Sequence, residues 1–300
     1  CDGNTGIVGI SWGGFNGLQI AARRPPELKA VITVCSTDDR YADDVHYMGG
    51  CLLGDNLSWA TTMFAYNSCP PDPEIAGPKW RDMWRQRLEG SGLWVANWLE
   101  HQRRDEYWKH GSVCEDWSAI QVPVLAVSGW ADGYSNSVFR LLRNLQAPCR
   151  ALLGPWSHKY PHVGQPGPAI GWLQECRRWW DHWLKGEQNG VLEDPALRAF
   201  MQDSVPPNTF YHTRPGRWVC EDRWPSGNVR ERRYGLAPLR LMGTEQPVQC
   251  AALSIESPLR TGLFAGKWCS YQAPPDLPGD QRQEDGGALT FDSAPLEEDM

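Results

Sequence analysis

Three hundred residues, of which 41% are apolar and 22% charged, are typical of a soluble globular chain with one large or two ordinary domains. The net charge of −7 argues against a nucleic-acid binder, which usually carries a basic patch. The sequence has no apolar run of about 18 residues and no basic stretch before an apolar run, so it predicts neither a transmembrane helix nor a signal peptide.

The first elements in chain order predict a βαβ unit. Thr5–Ile10 is short, apolar and β-branched, as expected of a buried strand in a parallel sheet. A tight turn, Ser11–Gly14, leads into a helix predicted over Phe15–Arg24, which a Pro-Pro pair ends. Leu28–Cys35 is again apolar and predicts the second buried strand of an α/β fold.

The segment Asp55–Glu115 differs in composition from the rest of the chain. It is rich in Trp, Arg and Glu and poor in β-branched runs. Trp80 and Trp84 are four residues apart, as are Trp94 and Trp98, so each pair would share a helix face. We therefore predict a helical cap inserted between the second and third strands.

Strands and helices of the α/β pattern resume after the insertion. Val122–Ser128 and Arg150–Leu153 are predicted strands, with a helix over Ser135–Leu145 between them. Gly171–Lys185 is amphipathic and predicts a helix that Gly186 would cap. These elements predict an α/β catalytic domain over residues 1–188.

The pattern changes after about residue 189, where Pro and Gly become frequent. Short alternating runs at Leu197–Met201, Gln249–Ile255 and Ala288–Phe291 indicate strands of a β-rich second domain. We expect this domain, over residues 189–300, to be incomplete. The chain enters a strand within a few residues of its start and has no terminating element near its end, so the sequence is interpreted as a fragment of a longer protein.

Ten cysteines are scattered along the chain, and none forms a CxxC pair. This spacing argues against a zinc motif or a thioredoxin-like motif. It is typical of free, mostly buried thiols in a reducing compartment, so a cytoplasmic location is expected.

Residues 9–13 read G-I-S-W-G, a GxSxG motif, between a predicted strand and a predicted helix. A nucleophile on such a sharp turn is held in a strained backbone conformation. Gly9 and Gly13 would remove side chains where neighbouring backbone passes closely. The helix start points free N–H groups at developing negative charge, so we predict Ser11 as nucleophile and the Trp12 backbone N–H as oxyanion donor. The alternative is a glycine-rich turn with an N-cap serine.

A serine nucleophile needs a base, and the base needs an orienting acid; this fold orders them Ser, Asp or Glu, His. Asp132 follows the strand Val122–Ser128, which places its carboxylate at the carboxyl edge of the sheet, where open α/β folds carry their sites. His158 follows the strand Arg150–Leu153 at the same edge. We therefore predict Asp132 as the acid and His158 as the base for Ser11.

Other histidines and one further aspartate fit this order less well. His182 lies in the middle of a predicted helix, as packed or capping histidines do, and His162 is the reserve for the base. Three histidines precede the acid and so have the wrong order, namely His46, His101 and His110. Asp116 precedes its strand and would lie at the wrong edge.

Candidate substrate contacts lie near the same edge. Four aspartates follow the second strand at positions 38, 39, 43 and 44. They form either a solvated loop or a site in which Asp43 and Asp44 bind a substrate amine. Trp130 and Trp156 lie in the turns that carry the predicted acid and base, and are further candidates. The tryptophans of the insertion either line a lid over the pocket or pack between cap helices.

Five segments together resemble the cocaine esterase / X-prolyl dipeptidyl-peptidase family of serine hydrolases, in the family's order. They are GISWGGFNGLQIA (Gly9–Ala21), STDDRYADDVHYMGG (Ser36–Gly50), VPVLAVSGWADGY (Val122–Tyr134), LLGPWSH (Leu152–His158) and WWDHWLKG (Trp179–Gly186). The resemblance implies that Ser11, Asp132 and His158 are nucleophile, acid and base.

The same resemblance implies an α/β-hydrolase fold, truncated at its N-terminus, with a helical cap over residues 55–115 and the beginning of a C-terminal jelly roll. Members of the family supply a second oxyanion donor, a tyrosine hydroxyl, from a region before the elbow strand. That region is absent from this sequence.

The expected function is hydrolysis of an ester or amide through an acyl-enzyme on Ser11, with no metal or organic cofactor. One hypothesis is an esterase or acylase, and another is an X-prolyl dipeptidyl-peptidase, which must hold a free amino terminus. A third is a catalytically silent binding module, which a misaligned Ser11 would favour. Expected partners are a small ester, an amide or a short peptide, with no nucleic acid and no membrane; a homo-oligomer is left open.

Overall fold

The structure is a computed structural model that describes residues 2–245, 248 and 251–297. Its strands are β1 (Thr5–Ile10), β2 (Leu28–Val34), β3 (Tyr47–Met48), β4 (Cys51–Leu52), β5 (Val124–Gly129), β6 (Cys149–Gly154), β7 (Leu197–Gln202), β8 (Gly216–Glu221), β9 (Tyr234–Ala237) and β10 (Arg240–Gly243). Its α-helices are α1 (Trp12–Ala22), α2 (Asp55–Ser68), α3 (Pro73–Ala76), α4 (Trp80–Gly90), α5 (Trp94–Glu100), α6 (Glu106–His110), α7 (Ser135–Asn144), α8 (Trp172–Lys185) and α9 (Arg282–Asp285).

The main sheet has six strands in the order β1-β2-β5-β6-β7-β8. The first five are parallel, and β8 is antiparallel to β7. Because both faces of β2, β5 and β6 are buried, their sequences are continuous apolar runs, and this is why they could be predicted within two residues at each end. The bounds predicted for β1 are confirmed, but its predicted burial is wrong: it is an edge strand of the described sheet, and only Gly9 in it is buried. The predicted α/β class is confirmed.

Two apolar layers cover the faces of this sheet. On one face, Leu18 of α1 and Leu141 of α7 pack in a cluster with Val31 of β2. On the other face, Trp172 and Trp179 of α8 pack in a second cluster. Adjacent residues of β2 alternate between the two clusters, as the period of a strand requires. The carboxyl ends of β1, β2, β5 and β6 therefore lie on a rigid edge.

The insertion at residues 55–115 is helical, as its composition predicts. Helices α2 to α6 lie in it, and the rings of Trp80 and Trp84 stack with centroids 6.1 Å apart. The rings of Trp94 and Trp98 lie 6.2 Å apart. Both pairs share a helix face, in agreement with their four-residue spacing.

The tail departs from the strands predicted for it. The run Leu197–Met201 does form a strand, β7, but that strand and β8 extend the main sheet. Residues 251–255 form no strand, and Gln249 lies outside the described residues. The strand predicted over Ala288–Phe291 is also wrong; the bridge nearby joins Asp292 to Arg240.

Exposure explains these differences. Residues 251–255 and 288–290 are exposed, so their apolar side chains have no second layer to pack on, and a strand without a paired neighbour is not stable by itself. The strands β9 and β10 form a separate hairpin. The predicted jelly roll and the division of the chain at residue 188 stay predictions.

Within the described ranges, no helix is both long and apolar enough to cross a membrane. The eight cysteines that the structure describes are free thiols. Cytoplasmic location and homo-oligomer formation stay predictions.

Candidate active site

Ser11 occupies a sharp turn between β1 and α1. Its φ of +58° lies in the left-handed region, which is unusual for a residue with a side chain. The Ser11 N–H donates to the carbonyl of Val34 at 2.9 Å, which ties the turn to the end of β2. This is the strained strand-to-helix turn that the GxSxG motif predicts.

Glycines make that turn possible by letting backbone segments approach closely. A Cβ on Gly9 would lie 2.2 Å from the carbonyl carbon of Gly13, so the prediction for Gly9 is confirmed. The prediction for Gly13 is wrong, because a Cβ there would meet no atom within 4 Å. The second crowded position is Gly14, where a Cβ would lie 2.7 Å from the Cβ of Ser36.

The backbone N–H of Trp12 is the first amide of α1. An N–H in the first turn of a helix has no carbonyl partner within that helix, and the helix dipole adds partial positive charge there. Directly beside Ser11, this amide has the chemistry of an oxyanion donor, and its role stays a prediction.

Asp132 and His158 form a buried pair. The Nδ1 atom of His158 lies 3.1 Å from Oδ1 of Asp132. The other carboxylate oxygen of Asp132 accepts a hydrogen bond from the Ser128 hydroxyl at 3.3 Å. A hydrogen on Nδ1 that is donated to the carboxylate leaves Nε2 free to accept a proton. The pair therefore has the chemistry of an orienting acid and a general base.

The loop after β6 brings His158 back across the sheet edge towards β1. The Cys35 thiol, directly after β2, donates to the carbonyl of Lys159 at 3.9 Å. Tyr160 packs in the same apolar cluster as Ile10, the last residue of β1. The Ser11 hydroxyl makes no hydrogen bond to a residue in the described ranges, so the complete triad stays a proposal.

Cys35 is a further polar side chain at the Asp132–His158 pair. Its sulfur, an Asp132 oxygen and a His158 nitrogen all lie within 4.8 Å of one another. Burial, and then the Asp132 carboxylate, raise the pKa of the Cys35 thiol well above its ordinary value. A protonated thiol is therefore the stable form beside the pair.

A cavity of about 340 Å³, called here the Ser11 cavity, opens beside the nucleophile. Its wall combines the Ser11 turn, the loop after β2, helix α2, the turn after β5 and a tail segment, and half of its lining residues are aromatic. The lining residues are Ser11, Trp12, Phe15, Arg40, Val45, Asp55, Ser58, Trp59, Thr62, Tyr66, Tyr134, Trp268, Cys269 and Tyr271. Of the two alternatives for the tryptophans of the insertion, a lid or packing between cap helices, Trp59 of α2 favours the first, because it lines the cavity and contacts Trp12 edge to face.

Asp43 and Asp44 lie outside the lining of the Ser11 cavity, which corrects their prediction as substrate contacts. Asp43 is buried and pairs with Arg140 of α7 at 2.7 Å. Asp44 is buried beneath the cavity, where it pairs with Arg40 at 2.7 Å and accepts a hydrogen bond from Tyr134 at 2.9 Å. Both carboxylates are neutralised within the protein.

Trp130 and Trp156 also lie away from the Ser11 cavity. The Trp156 indole is buried in the core and donates to the carbonyl of Pro168 at 2.9 Å. The Trp130 indole donates to the carbonyl of Phe200 at 2.7 Å and lines a different cavity on the far side of Asp132. Their positions next to the predicted acid and base in sequence do not bring them to the nucleophile.

The residues that sequence reasoning missed come from distant parts of the chain. The tail segment Trp268–Tyr271 covers the Asp132–His158 pair: the backbone N–H of His158 donates to the Ser270 carbonyl at 2.9 Å, and the Tyr271 ring packs edge to face on the His158 ring. The aromatic residues of this segment could have suggested a place in the site. Its contact with His158 could not be predicted, because more than 100 residues separate the two in the chain.

The rival residues have other partners. His182 bonds the carbonyl of Glu187, and His101 pairs with Asp105. The His162 ring lies against Tyr160. His46 is buried, which lowers its pKa, and His110 is exposed. Asp116 caps a short turn by accepting a hydrogen bond from the backbone N–H of Ser118.

Comparison with known proteins agrees with the arrangement of these elements. The model of the X-Pro dipeptidyl-peptidase S15 family matches residues 1–160, more than half of the chain. The chain belongs to this family. The model of the X-Pro dipeptidyl-peptidase C-terminal non-catalytic domain matches residues 189–300. The resemblance stated from the sequence is confirmed.

The relatives that match this chain are distant from it in sequence. Cocaine esterase from Rhodococcus sp. (strain MB1 Bresler) is 26% identical over 75% of this chain and 43% of its own length. A putative Xaa-Pro dipeptidyl-peptidase from Bacillus cereus is 20% identical over 65% of this chain and 32% of its own length. The chain thus spans less than half the length of these relatives.

Solved structures show the same fold. A CocE/NonD family hydrolase from Staphylococcus aureus superposes with a TM-score of 0.61 at 19% identity, over 81% of this chain and 39% of that chain. An α-amino acid ester hydrolase gives a TM-score of 0.64 at 18% identity, over 98% of this chain and 53% of that chain. The α/β-hydrolase fold predicted for this S15 family chain is confirmed.

Proposed function

We propose that this protein is a serine hydrolase that cleaves an ester or amide bond through an acyl-enzyme on Ser11. The observation that carries the proposal is the buried Asp132–His158 pair, 3.1 Å apart, at the sheet edge that also presents Ser11 on a strained turn. Membership of the S15 family and the names of its relatives support the same chemistry.

In the proposed reaction, Nε2 of His158 takes the Ser11 proton while the Ser11 oxygen attacks the substrate carbonyl. The Trp12 N–H stabilises the negative charge that develops on the carbonyl oxygen. The imidazolium then protonates the leaving group, and the acyl-enzyme remains. Water activated by His158 releases the acid, and Asp132 stabilises the imidazolium at each step. The Ser11–His158 hydrogen bond forms when substrate binds, because catalytic hydrogen bonds are often long in the free enzyme.

The lining of the Ser11 cavity favours an esterase or acylase for a small, uncharged or aromatic acyl group. Half of its lining residues are aromatic, and its guanidinium, that of Arg40, is paired with Asp44. The second candidate is an X-prolyl dipeptidyl-peptidase. It is favoured by Asp55, a lining carboxylate that could hold a substrate amine.

Labelling with a fluorophosphonate probe tests the nucleophile. We expect the wild type to be labelled and Ser11→Ala to remain unlabelled. Ser58→Ala is the matched control, because Ser58 lines the same cavity and should not affect labelling. Equal labelling of the wild type and Ser11→Ala would refute the assignment. An unlabelled but folded wild type would favour the catalytically silent binding module.

A substrate panel separates the two enzymatic candidates. p-Nitrophenyl esters of uncharged acids should be hydrolysed faster than X-Pro anilides if the cavity is that of an esterase. Asp55→Asn should leave hydrolysis of those esters nearly unchanged in the esterase. In the peptidase it should raise KM for X-Pro anilides by about 10-fold or more, because a charge-assisted contact to the substrate amine is lost. Preference of the wild type for the anilides would overturn the esterase proposal.

A further inference from the structure

The Asp132–His158 pair lies among soft metal ligands. Cys35 follows β2, Asp132 follows β5 and His158 follows β6, and their ligand atoms lie within 4.8 Å of one another. All three residues are buried. The sulfur of Cys269, from the tail, lies 4.0 Å from Oδ1 of Asp132. A thiol, an imidazole and a carboxylate thus meet at one point from three parts of the chain, and the Cys269 sulfur lies outside this group of three, beside the carboxylate.

This donor set is the type that zinc prefers. Zinc takes four tetrahedral ligands at about 2.0 to 2.3 Å, which places neighbouring ligand atoms roughly 3.3 to 3.8 Å apart. The Asp132 oxygen and the His158 Nδ1 are 3.1 Å apart, and the Asp132 oxygen and the Cys269 sulfur are 4.0 Å apart. Four-coordinate binding requires the Cys269 side chain to rotate towards the other three ligand atoms. Zinc binds cysteines as thiolates, so the protons of Cys35 and Cys269 pass to solvent when the metal binds. Thiolates select zinc over hard cations such as magnesium.

A cation can reach the cluster from solvent. Cys269 lines the Ser11 cavity, together with Tyr271 and Tyr134. Asp132 also lines a second cavity, on the side of Trp130. The cluster is therefore reached along the path that a substrate would use.

We propose that Cys35, Asp132, His158 and Cys269 form an inhibitory site for zinc. The inhibition rests on the proposed hydrolase function, whereas zinc binding does not. Zinc on Nδ1 of His158 places the ring proton on Nε2, and a nitrogen that carries a proton cannot accept one from Ser11. Zinc also takes the carboxylate that orients the ring. The metal therefore removes the general base without touching the nucleophile.

Cobalt binding tests the site without any activity measurement. Co²⁺ added to the wild type should give a thiolate-to-cobalt absorption band that saturates at one metal per chain and disappears when Zn²⁺ is added. Cys35→Ala and Cys269→Ala should each weaken metal binding by about 10- to 100-fold. Cys220→Ser, which changes an exposed cysteine on β8, is the matched control and should bind like the wild type. A wild type without the band, or two cysteine variants that bind like the wild type, would overturn the site.

Circular dichroism of each variant shows whether it is folded. If Cys35→Ala does not fold, Cys269→Ala decides, because Cys269 lies in a loop of the tail. Retention of full-strength binding in that variant counts against the site.

Zinc titration of ester hydrolysis then tests inhibition. Activity should fall with Zn²⁺, return with a chelator and be unaffected by Mg²⁺ at the same concentration. Cys35→Ala, compared with its own metal-free activity, should need about 10- to 100-fold more Zn²⁺ for the same inhibition. An active enzyme that zinc does not inhibit contradicts the inference alone. A protein that binds cobalt but has no fluorophosphonate-reactive Ser11 contradicts the proposed function alone.

Discussion

At the scale of single residues, the backbone of Ser11 is held in an unfavourable conformation by its neighbours. A positive φ costs a residue with a side chain of order 1 kcal/mol or more, and the cost is borne only where the surrounding structure enforces it. Here the enforcing contacts are the bond from the Ser11 N–H to Val34 and the close approach of Gly9 to Gly13. The position of Ser11 therefore depends on the lack of a side chain at Gly9, two residues earlier.

Gly9→Ala should disrupt this turn. Its Cβ would lie 2.2 Å from backbone carbon of Gly13, which cannot rotate away. We expect a loss of more than about 3 kcal/mol in the free energy of unfolding, measured by urea denaturation, together with loss of fluorophosphonate labelling. Gly13→Ala is the control and should change stability by less than about 1 kcal/mol, since its Cβ has open space. Equal effects of the two substitutions would contradict the explanation.

The proposed catalytic residues could be placed at one sheet edge from the sequence because each follows an apolar strand within four residues. Ser11, Asp132 and His158 needed only the rule that parallel strands end at one edge. The role of Asp43 could not be predicted, because its partner Arg140 is 97 residues away in the chain. From the sequence alone, an aspartate that pairs with a buried arginine cannot be told from an aspartate that binds a substrate amine.

At the scale of elements, the loop after β2 carries part of the Ser11 cavity and is held by the helices around it. Arg140 of α7 donates to both oxygens of Asp38 and to Asp43. On the other side, His46 packs between the rings of Trp98 and Trp108 from the helical insertion. The loop that presents Arg40 and Val45 to the cavity is therefore fixed at both ends.

Arg140→Met should destabilise the protein. The substitution leaves Asp38 and Asp43 as buried carboxylates without a cation, which costs about 3 kcal/mol in the free energy of unfolding. Arg143→Met, on the exposed face of the same helix, serves as the control and should have almost no effect. Urea denaturation at neutral pH measures both. A stable Arg140→Met variant would show that the loop does not need this anchor.

Stability should fall as the pH drops below the ordinary pKa of histidine, 6.5, because His46 is buried as a neutral ring and burial lowers its pKa. Its Nε2 accepts from Arg40, so Nδ1 carries the proton that is donated to Asn56 at 2.7 Å. The unfolded chain binds a proton at 6.5 and the folded protein only at lower pH, so stability is full above this pH and decreases below it.

The measurement is urea denaturation at about pH 8 and about pH 5. His46→Gln should lose less stability between these two values than the wild type does. His110→Gln changes an exposed histidine and should follow the wild type. The expectation fails if both variants show the wild-type pH dependence.

The elements of the tail were harder to predict than those of the sheet. In β2 almost every residue is buried, so its apolar run has one interpretation. In β8, β9 and β10 most residues are exposed or half-buried, and their mixed sequences do not differ from loops. Alternation at residues 251–255 indicated a strand where the structure has no paired neighbour.

At the scale of the whole molecule, the tail completes the site that the sheet begins. Besides the Ser270 contact to His158, the Trp268 ring packs against Tyr134 with centroids 4.9 Å apart. A Cβ on Gly133 would lie 2.4 Å from that Trp268 ring. The missing side chain of Gly133 lets the tail lie directly over the turn that carries Asp132.

Gly133→Ala should push Trp268 and its neighbours away from the catalytic pair. We expect kcat/KM for ester hydrolysis to fall by about 10-fold or more, because small displacements of a catalytic group have large effects on rate. Gly92→Ala, between α4 and α5, is the control, since a Cβ there meets no atom within 4 Å. Unchanged kinetics in Gly133→Ala would show that the tail is not needed at the site.

The two family models match residues 1–160 and 189–300, and the main sheet takes strands from both segments. Strand β6 pairs with β7 through Ala151 and Leu197, on either side of residues 188 and 189. A chimaera that joins the first part of one family member to the second part of another at this point would combine two unrelated halves of a hydrogen-bonded sheet. It would also give His158 a foreign neighbour in place of Ser270, so we expect such a chimaera to be less stable than either parent.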